Sequence, residues 1–332
     1  MKIRFATFNL FQFTKPPHSW YTKKERFTNE QWIKKTSWIK KQITKMDADI
    51  IGFQEVFSRD ALKTLVNELG FEYFETVDVP KTSKSNPLVY VSTTVAIASK
   101  YPISNMQEVK AHIPSIKKHS YEGFFKFSRI PIKATITLPN EQDILVYVCH
   151  LKSNRLNEFE YVFNKEDSLE YKKELINKAL KEKYSLSLKI RLCEASSLFF
   201  DIKKSKKPCI LMTDLNDKEF SITIDALSNN KYHDEKRKET FILYDSYFQI
   251  EQKVYNPHPE QKEIKRISTS YFAGKGNVLD YIFLSNDFNK KNKKGIAKVT
   301  SFEVFDDAIK TNHDGSLLSS DHAQVLCELT FG

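Results

Sequence analysis

The chain has 332 residues, 40% of them apolar and 28% charged, with 8 Gly and 11 Pro. That composition excludes collagen-like, low-complexity and disordered chains, and the shortness of the apolar runs argues against a membrane-spanning one. With 52 Lys and Arg against 42 Asp and Glu, the formal charge of +10 favours polyanionic partners, because clustered cations release counterions from phosphate chains.

In chain order, Ile3 to Leu10 alternates like a strand and lacks the long apolar core of a signal peptide, so the cytoplasm is the expected compartment. Trp32, Ile33, Thr36, Ile39, Ile43 and Met46 recur at helical spacing. The strand Asp49 to Val56 follows, then a short amphipathic helix over Asp60 to Leu69. Further strands are predicted at Val95 to Ser99, Ile130 to Leu138 and Ile144 to Leu151. A charged excursion comes next. Glu158 to Lys183 is strongly charged, and Tyr184 to Lys204 carries Leu188, Leu192, Ala195, Leu198, Phe199 and Ile202, which predicts one or two helices in a solvated insertion at about 156–206. Strands resume at Pro208 to Thr213, Val278 to Ser285 and Ala323 to Phe331. No repeat and no Pro/Gly/Ser linker divides the chain, so a single domain over 1–332 is expected. Mixed strands and helices with hairpin-like neighbours predict an α/β fold in which two sheets pack face to face under outer helices. Of the four cysteines, Cys149, Cys209 and Cys327 lie inside apolar runs and read as reduced, structural thiols.

The apolar runs repeatedly end in acids, amides or histidines, which is costly unless those groups meet partners or a metal. Ile3 to Phe8 ends in Asn9, Ile50 to Phe53 in Gln54 and Glu55, Leu145 to Cys149 in His150, and Ile210 to Met212 in Thr213, Asp214, Leu215 and Asn216. In an extended chain i and i+2 share a face, which pairs Asp214 with Asn216 and His150 with Lys152. Oxygen donors from Asn9, Glu55, Asp214 and Asn216 suit Mg²⁺, whereas the cysteines and histidines lack zinc-site spacing. Asp321 and His322 stand at the entrance of the last strand. Asp280 interrupts an apolar strand and needs a buried partner, for which His322 is the candidate. Taken singly, each feature also reads as a turn, a cap or a hydrogen-bonded structural residue. Five such strand-edge motifs in one chain favour metal-assisted phosphoryl chemistry.

The sequence resembles the endonuclease/exonuclease/phosphatase superfamily, the deoxyribonuclease-like fold. The likeness is carried, in order, by Thr7-Phe8-Asn9-Leu10, Gly52-Phe53-Gln54-Glu55-Val56, Ser128-Arg129-Ile130-Pro131, Cys149-His150-Leu151-Lys152-Ser153, Thr213-Asp214-Leu215-Asn216-Asp217, Leu279-Asp280-Tyr281-Ile282 and Ser320-Asp321-His322. The His-Leu-Lys-Ser segment is similar to that of a bacterial subgroup. The resemblance implies a four-layer α/β sandwich with two mixed, mainly antiparallel sheets. It implies Glu55 as principal metal ligand with Asn9 and Asp321 in support, Mg²⁺ as the cofactor and Mn²⁺ as a substitute. Asp214 would position or deprotonate the attacking water, and Asn216 would hold the phosphate. His322, oriented by Asp280, would be base or transition-state stabiliser, and His150 would contact the phosphate or protonate the leaving oxygen. Arg129, Lys152 and Arg155 are candidate phosphate clamps, and no acidic partner for His150 stands out in Asp78 to Thr94. The expected function is a divalent-metal-dependent nuclease acting on DNA or RNA, with no membrane partner and a monomer as the starting assumption. A phosphatase or phospholipase C-type hydrolase on inositol phosphates, sphingomyelin or other small phosphoesters uses the same site. An inactive binding protein of the same fold is the third reading.

Overall fold

The computed structural model describes residues 1–154, 162–181, 185–234, 236, 240–251, 266–272, 274–312 and 318–332. Twelve strands build two large sheets: β1 (Lys2–Phe13), β2 (Ile50–Val56), β3 (Tyr73–Glu75), β4 (Thr94–Ser99), β5 (Ile103–Glu108), β6 (Ile132–Thr137), β7 (Asp143–His150), β8 (Cys209–Asp214), β9 (Tyr244–Asp245), β10 (Asp280–Leu284), β11 (Ala297–Phe305) and β12 (Gln324–Phe331). The first sheet runs β11-β12-β1-β2-β4-β3 and the second β9-β10-β8-β7-β6-β5. Within them β1 pairs parallel to β2 and β7 parallel to β8, and the other pairings are antiparallel. The C-terminal ends of the four central strands therefore reach one rim, where the antiparallel β10 and β12 begin.

The helices are α1 (Asn29–Met46), α2 (Arg59–Asn67), α3 (Ile113–Lys118), α4 (Leu169–Lys181), α5 (Leu186–Ser205), α6 (Ile222–Ser228) and α7 (Asp307–Asn312). A capping box starts α1, with Thr28 Oγ1 accepting from Gln31 N and Gln31 Oε1 accepting from Thr28 N, so the helix begins before the apolar stripe that predicted it. Ile39, Ile43 and Met46 of α1 pack with Leu62, Leu65 and Val66 of α2 on the outer face of the first sheet. Leu188, Leu192, Ala195, Leu198 and Ile202 of α5 join Ile176 of α4 and Ala226 of α6 on the outer face of the second. Between the sheets Ile3, Phe5 and Val325 meet Val146, Val148, Ile210, Met212 and Ile282. The layers are helix, sheet, sheet, helix, as the predicted sandwich requires.

Strands β3, β5, β9 and β11 and helices α3, α6 and α7 lie outside the predicted elements. The edge strand β11 carries a weak apolar signal, because it leaves the lysine-rich segment and buries only Ala297 and Val299, with exposed or half-buried residues elsewhere. The solvated insertion is replaced, over α5, by a helix that buries twelve of its 20 residues, charged Arg191 and Glu194 among them. The cysteines are free and buried, as expected. Among the described residues no helix is long and apolar enough to cross a membrane.

Gly52 marks the closest approach of the sheets. A Cβ there would stand 3.0 Å from Met212 Cβ and from both Val148 methyls, so a larger side chain has no room between β2, β7 and β8. Gly52→Val is expected to destabilise the fold by about 1–3 kcal/mol through overpacking. Equilibrium denaturation checks this, and an unchanged midpoint would mean that the sheets part more easily than their packing suggests.

Candidate active site

The inner faces of both sheets are apolar until their last residue at the rim, where they turn polar. Along β7 the inward row is Val146, Val148, His150, and along β8 it is Ile210, Met212, Asp214. On β10 Asp280 precedes Ile282 and Leu284. Strand register sets these ends side by side, His150 opposite Asp214 and Asp214 opposite Asp280. From the other sheet, β1 carries Ile3 and Phe5 inward and ends the same row with Thr7 and Asn9.

Asp214 is the meeting point. Its Oδ2 accepts from Asn9 Nδ2 at 2.9 Å and lies 3.4 Å from His150 Nε2 and 3.9 Å from His322 Nδ1. Its Oδ1 accepts from the Asn216 N–H at 2.8 Å, and Asn216, at φ +51°, turns its Nδ2 onto the Leu151 carbonyl at 3.0 Å. Burial raises the Asp214 carboxyl well above the usual range, and Asp280 adds to this, while His322, Asn216 and Asn9 pull it down. His322 Nδ1 bonds Asp280 Oδ2 at 2.8 Å. Its loop is held by Ser320, whose hydroxyl donates to the Asn9 carbonyl at 2.6 Å and accepts from the His322 N–H at 3.0 Å. Burial alone would depress the imidazole, but Asp280, then Asp214 and Asp321, outweigh it and hold His322 well above its ordinary value. His150 is held well below by burial and by the positive charges of Arg129 and His322. One imidazole is thus charged and the other neutral, which separates two histidines that look alike in sequence. His150 Nδ1 is buried with no hydrogen-bond partner, so the acid sought for it in Asp78 to Thr94 does not meet that atom.

Glu55 reaches the site by a backbone irregularity. Alternation from Ile50 places Gln54 on the inner face, where its Nε2 donates to Thr7 Oγ1 at 3.0 Å. The register then shifts on both sides of β2, and Glu55 takes φ +60°, re-aiming its carboxylate so that Gln12 N donates to its Oε2 at 2.9 Å. Burial raises the Glu55 carboxyl and Asp321 raises it further, against Gln12, His322 and Arg129. Asp321 Oδ1 is itself buried without a hydrogen-bond partner.

That pair of crowded, under-compensated oxygen donors fits a hard divalent cation. Asp214, Asp280 and His322 also place ligand atoms within 4.8 Å of one another and are a possible cation group. In that trio, however, Nδ1 of the imidazole and Oδ2 of Asp280 already satisfy each other.

Arg129 Nη1 donates to the Leu151 carbonyl at 3.1 Å, and its charge is felt by Glu55 and His150. Lys152 enters the rim through its backbone, its N–H donating to Glu194 Oε2 at 2.6 Å. Arg155 lies outside the described residues. The sequence reading missed Lys35, Tyr21, Arg191 and Glu194. Fully buried, Lys35 has its pKa lowered to about 7 by burial against the pull of Glu55 and Asp321, and its Nζ reaches the Ser319 carbonyl at 3.4 Å. A signal existed: Lys35 shares the helical stripe of Ile39 and Ile43. Tyr21, 50% exposed at φ +59°, lies near enough to Arg129 and Glu55 for both charges to act on its hydroxyl.

The sequence pattern of the endonuclease/exonuclease/phosphatase family matches residues 6–322, a span that contains every one of these rim residues. The chain belongs to that family. Its chemistry is metal-dependent phosphoester hydrolysis. Solved structures repeat the fold at low identity. The catalytic domain of human Nocturnin with a bound sulfate anion superposes with TM-score 0.57 at 15% identity, covering 100% of this chain and 94% of that one. A humanized Danio rerio TDP2 gives 0.52 at 10%, covering 99% of each chain. The mannosyl-6-phosphatase Bt3783 of Bacteroides thetaiotaomicron gives 0.52 at 16%, covering 99% and 100%. No curated protein matches the chain in sequence.

Asp280→Asn removes the nearest anion that keeps His322 protonated. With burial then less opposed, the imidazole pKa is expected to fall from well above 6.5 toward or below it, so that the ring is neutral at pH 8. NMR titration of the ring nitrogens in chelator reads this directly, and an imidazole still charged at pH 8 in the variant would contradict the assignment.

Proposed function

We propose that this family member is a phosphodiesterase acting on nucleic acid, with Mg²⁺ as the resident ion and Mn²⁺ as a working substitute. The observation that carries the hydrolytic reading is the convergence on Asp214 of Asn9, His150, Asn216 and His322, beside the carboxylates of Glu55 and Asp321. Support for a nucleic-acid substrate comes from the +10 charge and from the exposed Tyr21 ring beside Arg129, since a base can stack on an aromatic face next to a phosphate-binding cation.

Glu55 and Asp321, with Asn9 in support, would hold the ion. When bound, it stabilises charge on the phosphoryl oxygens. Asp214, raised by burial and oriented by Asn9 and Asn216, accepts the proton of the attacking water. His322, charged through Asp280, stabilises the pentacoordinate phosphorus and gives a proton to the leaving oxygen as its P–O bond breaks, and the neutral His150 and Asn216 hold the non-bridging oxygens. Arg129 supplies a further positive contact to the phosphate, with Lys152 and Arg155 as lesser candidates.

Asp214→Asn keeps the shape and one of the two accepted N–H bonds but loses the base, and is expected to lower kcat by about 10²- to 10⁴-fold while the domain still folds. Chelation should stop turnover and Mg²⁺ or Mn²⁺ should restore it. A panel of plasmid, single-stranded DNA and RNA, set beside phosphate release from sugar and inositol monoesters, tests the substrate. Cleavage of the polymers is the expected result. Hydrolysis confined to the monoesters would move the assignment to the small-phosphoester phosphatase, and activity that survives excess chelator would remove the metal.

A further inference from the structure

The peptide that follows His150 is tied down at every backbone polar group. The Leu151 N–H donates to the Asp214 carbonyl at 3.1 Å, and the Leu151 carbonyl accepts from Arg129 Nη1 at 3.1 Å and Asn216 Nδ2 at 3.0 Å. The Lys152 N–H donates to Glu194 Oε2 at 2.6 Å, and its carbonyl accepts from Arg191 Nη1 at 3.2 Å. The second oxygen of Glu194 accepts from the N–H of Ser128, the residue before Arg129, also at 2.6 Å. One carboxylate therefore spans two segments that carry candidate phosphate-binding groups. Arg191 is braced in turn, its Nε on Asp217 Oδ2 at 3.2 Å, an oxygen that also accepts from Thr223 Oγ1 at 2.6 Å.

Glu194 is 0% exposed and Arg191 1%, both on the apolar stripe of α5. Leucine at those two positions would serve packing as well or better, because burying charge is expensive even when it is paired. What leucine lacks is the ability to hold backbone N–H and C=O groups of separate loops in fixed places. Charge-assisted N–H···O⁻ bonds are about twice as strong as neutral ones, and a side-chain carboxylate with two of them fixes two peptides at once. Neither residue has a hydrogen bond to Asp214, His150 or His322; each acts through the segments it holds.

We propose that Glu194 and Arg191 are positioning residues, set on α5 to fix the Ser128–Arg129 and Leu151–Lys152 segments so that Arg129 and Asn216 meet the substrate phosphate in register. The proposal rests on the phosphoesterase reading of the same site and extends it to a helix that supplies no catalytic group.

Glu194→Gln keeps the shape but offers one acceptor where two donors arrive. With bis(4-nitrophenyl) phosphate and Mg²⁺, kcat/KM is expected to fall about 10- to 100-fold, as for a misplaced binding group. The Mg²⁺ concentration for half-activation should stay unchanged, because Glu55 and Asp321 are not touched. In an Arg129→Gln background the same substitution should cost only a few-fold, since the residue it aims is already gone. Hydrogen exchange at the Ser128 and Lys152 amides should quicken together, while the Leu211 and Met212 amides of β8 keep their protection. Losses that multiply in full in the double variant, or unaltered exchange at Ser128 and Lys152, overturn the proposal. If Glu194→Gln does not fold, Glu194→Asp, which keeps the charge but shortens the reach, takes its place with the same expected outcomes. A wild-type protein inactive on every phosphoester tried would sink the functional reading, and the exchange data would still decide whether the clamp holds those two amides.

Discussion

The hydrogen bond from Asn9 Nδ2 to Asp214 Oδ2 joins the two sheets at the rim where the chemistry collects. Asp214 is 1% exposed, so its charge depends on what the protein supplies: two N–H donors, and a charged imidazole 3.9 Å away. Leaving such a buried anion without its partners costs about 3–5 kcal/mol, enough to consume much of a domain's stability. The rest of the site follows from satisfying that one carboxylate. Once β8 places Asp214, register fixes His150 and Asp280 on either side, and Asp280 fixes His322. The loop bearing His322 is in turn tied to the Asn9 backbone through Ser320. The two sheets cannot slide past one another without breaking a closed ring of bonds that runs from Asn9 to Asp214, then by register to Asp280, and back through His322 and Ser320.

Much of this was legible in the sequence because strand ends advertise themselves. A polar residue that closes an apolar run on the inner face of a sheet has to be satisfied at the rim, and Asn9, His150, Asp214 and Asp280 all carry that signature. Glu55 was legible as an acid closing an apolar run, but its aim was not: alternation alone assigns the inner position to Gln54, and the re-aiming depends on a positive φ and a register shift that no periodicity reveals. The different charge states of His150 and His322 come from burial and from their distances to Asp280 and Arg129, which the chain order does not encode. Edge strand β11 escaped because an edge needs one covered face only, which dilutes the apolar pattern.

The misreading of α5 has a physical reason as well. Charge density in a segment is ordinarily a sign of solvent, and Glu158 to Lys204 is rich in it. Burial, however, is decided by position on the helix. Arg191 lies three residues after Leu188 and Glu194 four before Leu198, so both sit on the buried stripe, as Lys35 does beside Ile39 and Ile43 on α1. A charged residue in phase with an apolar stripe is a stronger signal than the charge of the segment around it, because it has to find a partner inside.

Two electrostatic compartments meet at Asn9. On one side Glu55 and Asp321 face the single ammonium of Lys35, which burial weakens as a cation; on the other Asp214 and Asp280 face the imidazole of His322, which they keep charged. The two groups are not sealed from each other, since Asp321 Oδ1 lies 4.0 Å from His322 Nε2 and Glu55 also feels the positive charges of His322 and Arg129. Beside Lys35, the crowded carboxylates and the Asp321 oxygen that lacks a hydrogen bond are a donor set that would suit a divalent ion. Asn9, whose amide donates to Asp214 and whose Oδ1 accepts from Phe11 N, separates the two without itself titrating. A neutral amide at that boundary satisfies the raised Asp214 carboxyl without placing a further titrating group between it and the carboxylates of Glu55 and Asp321.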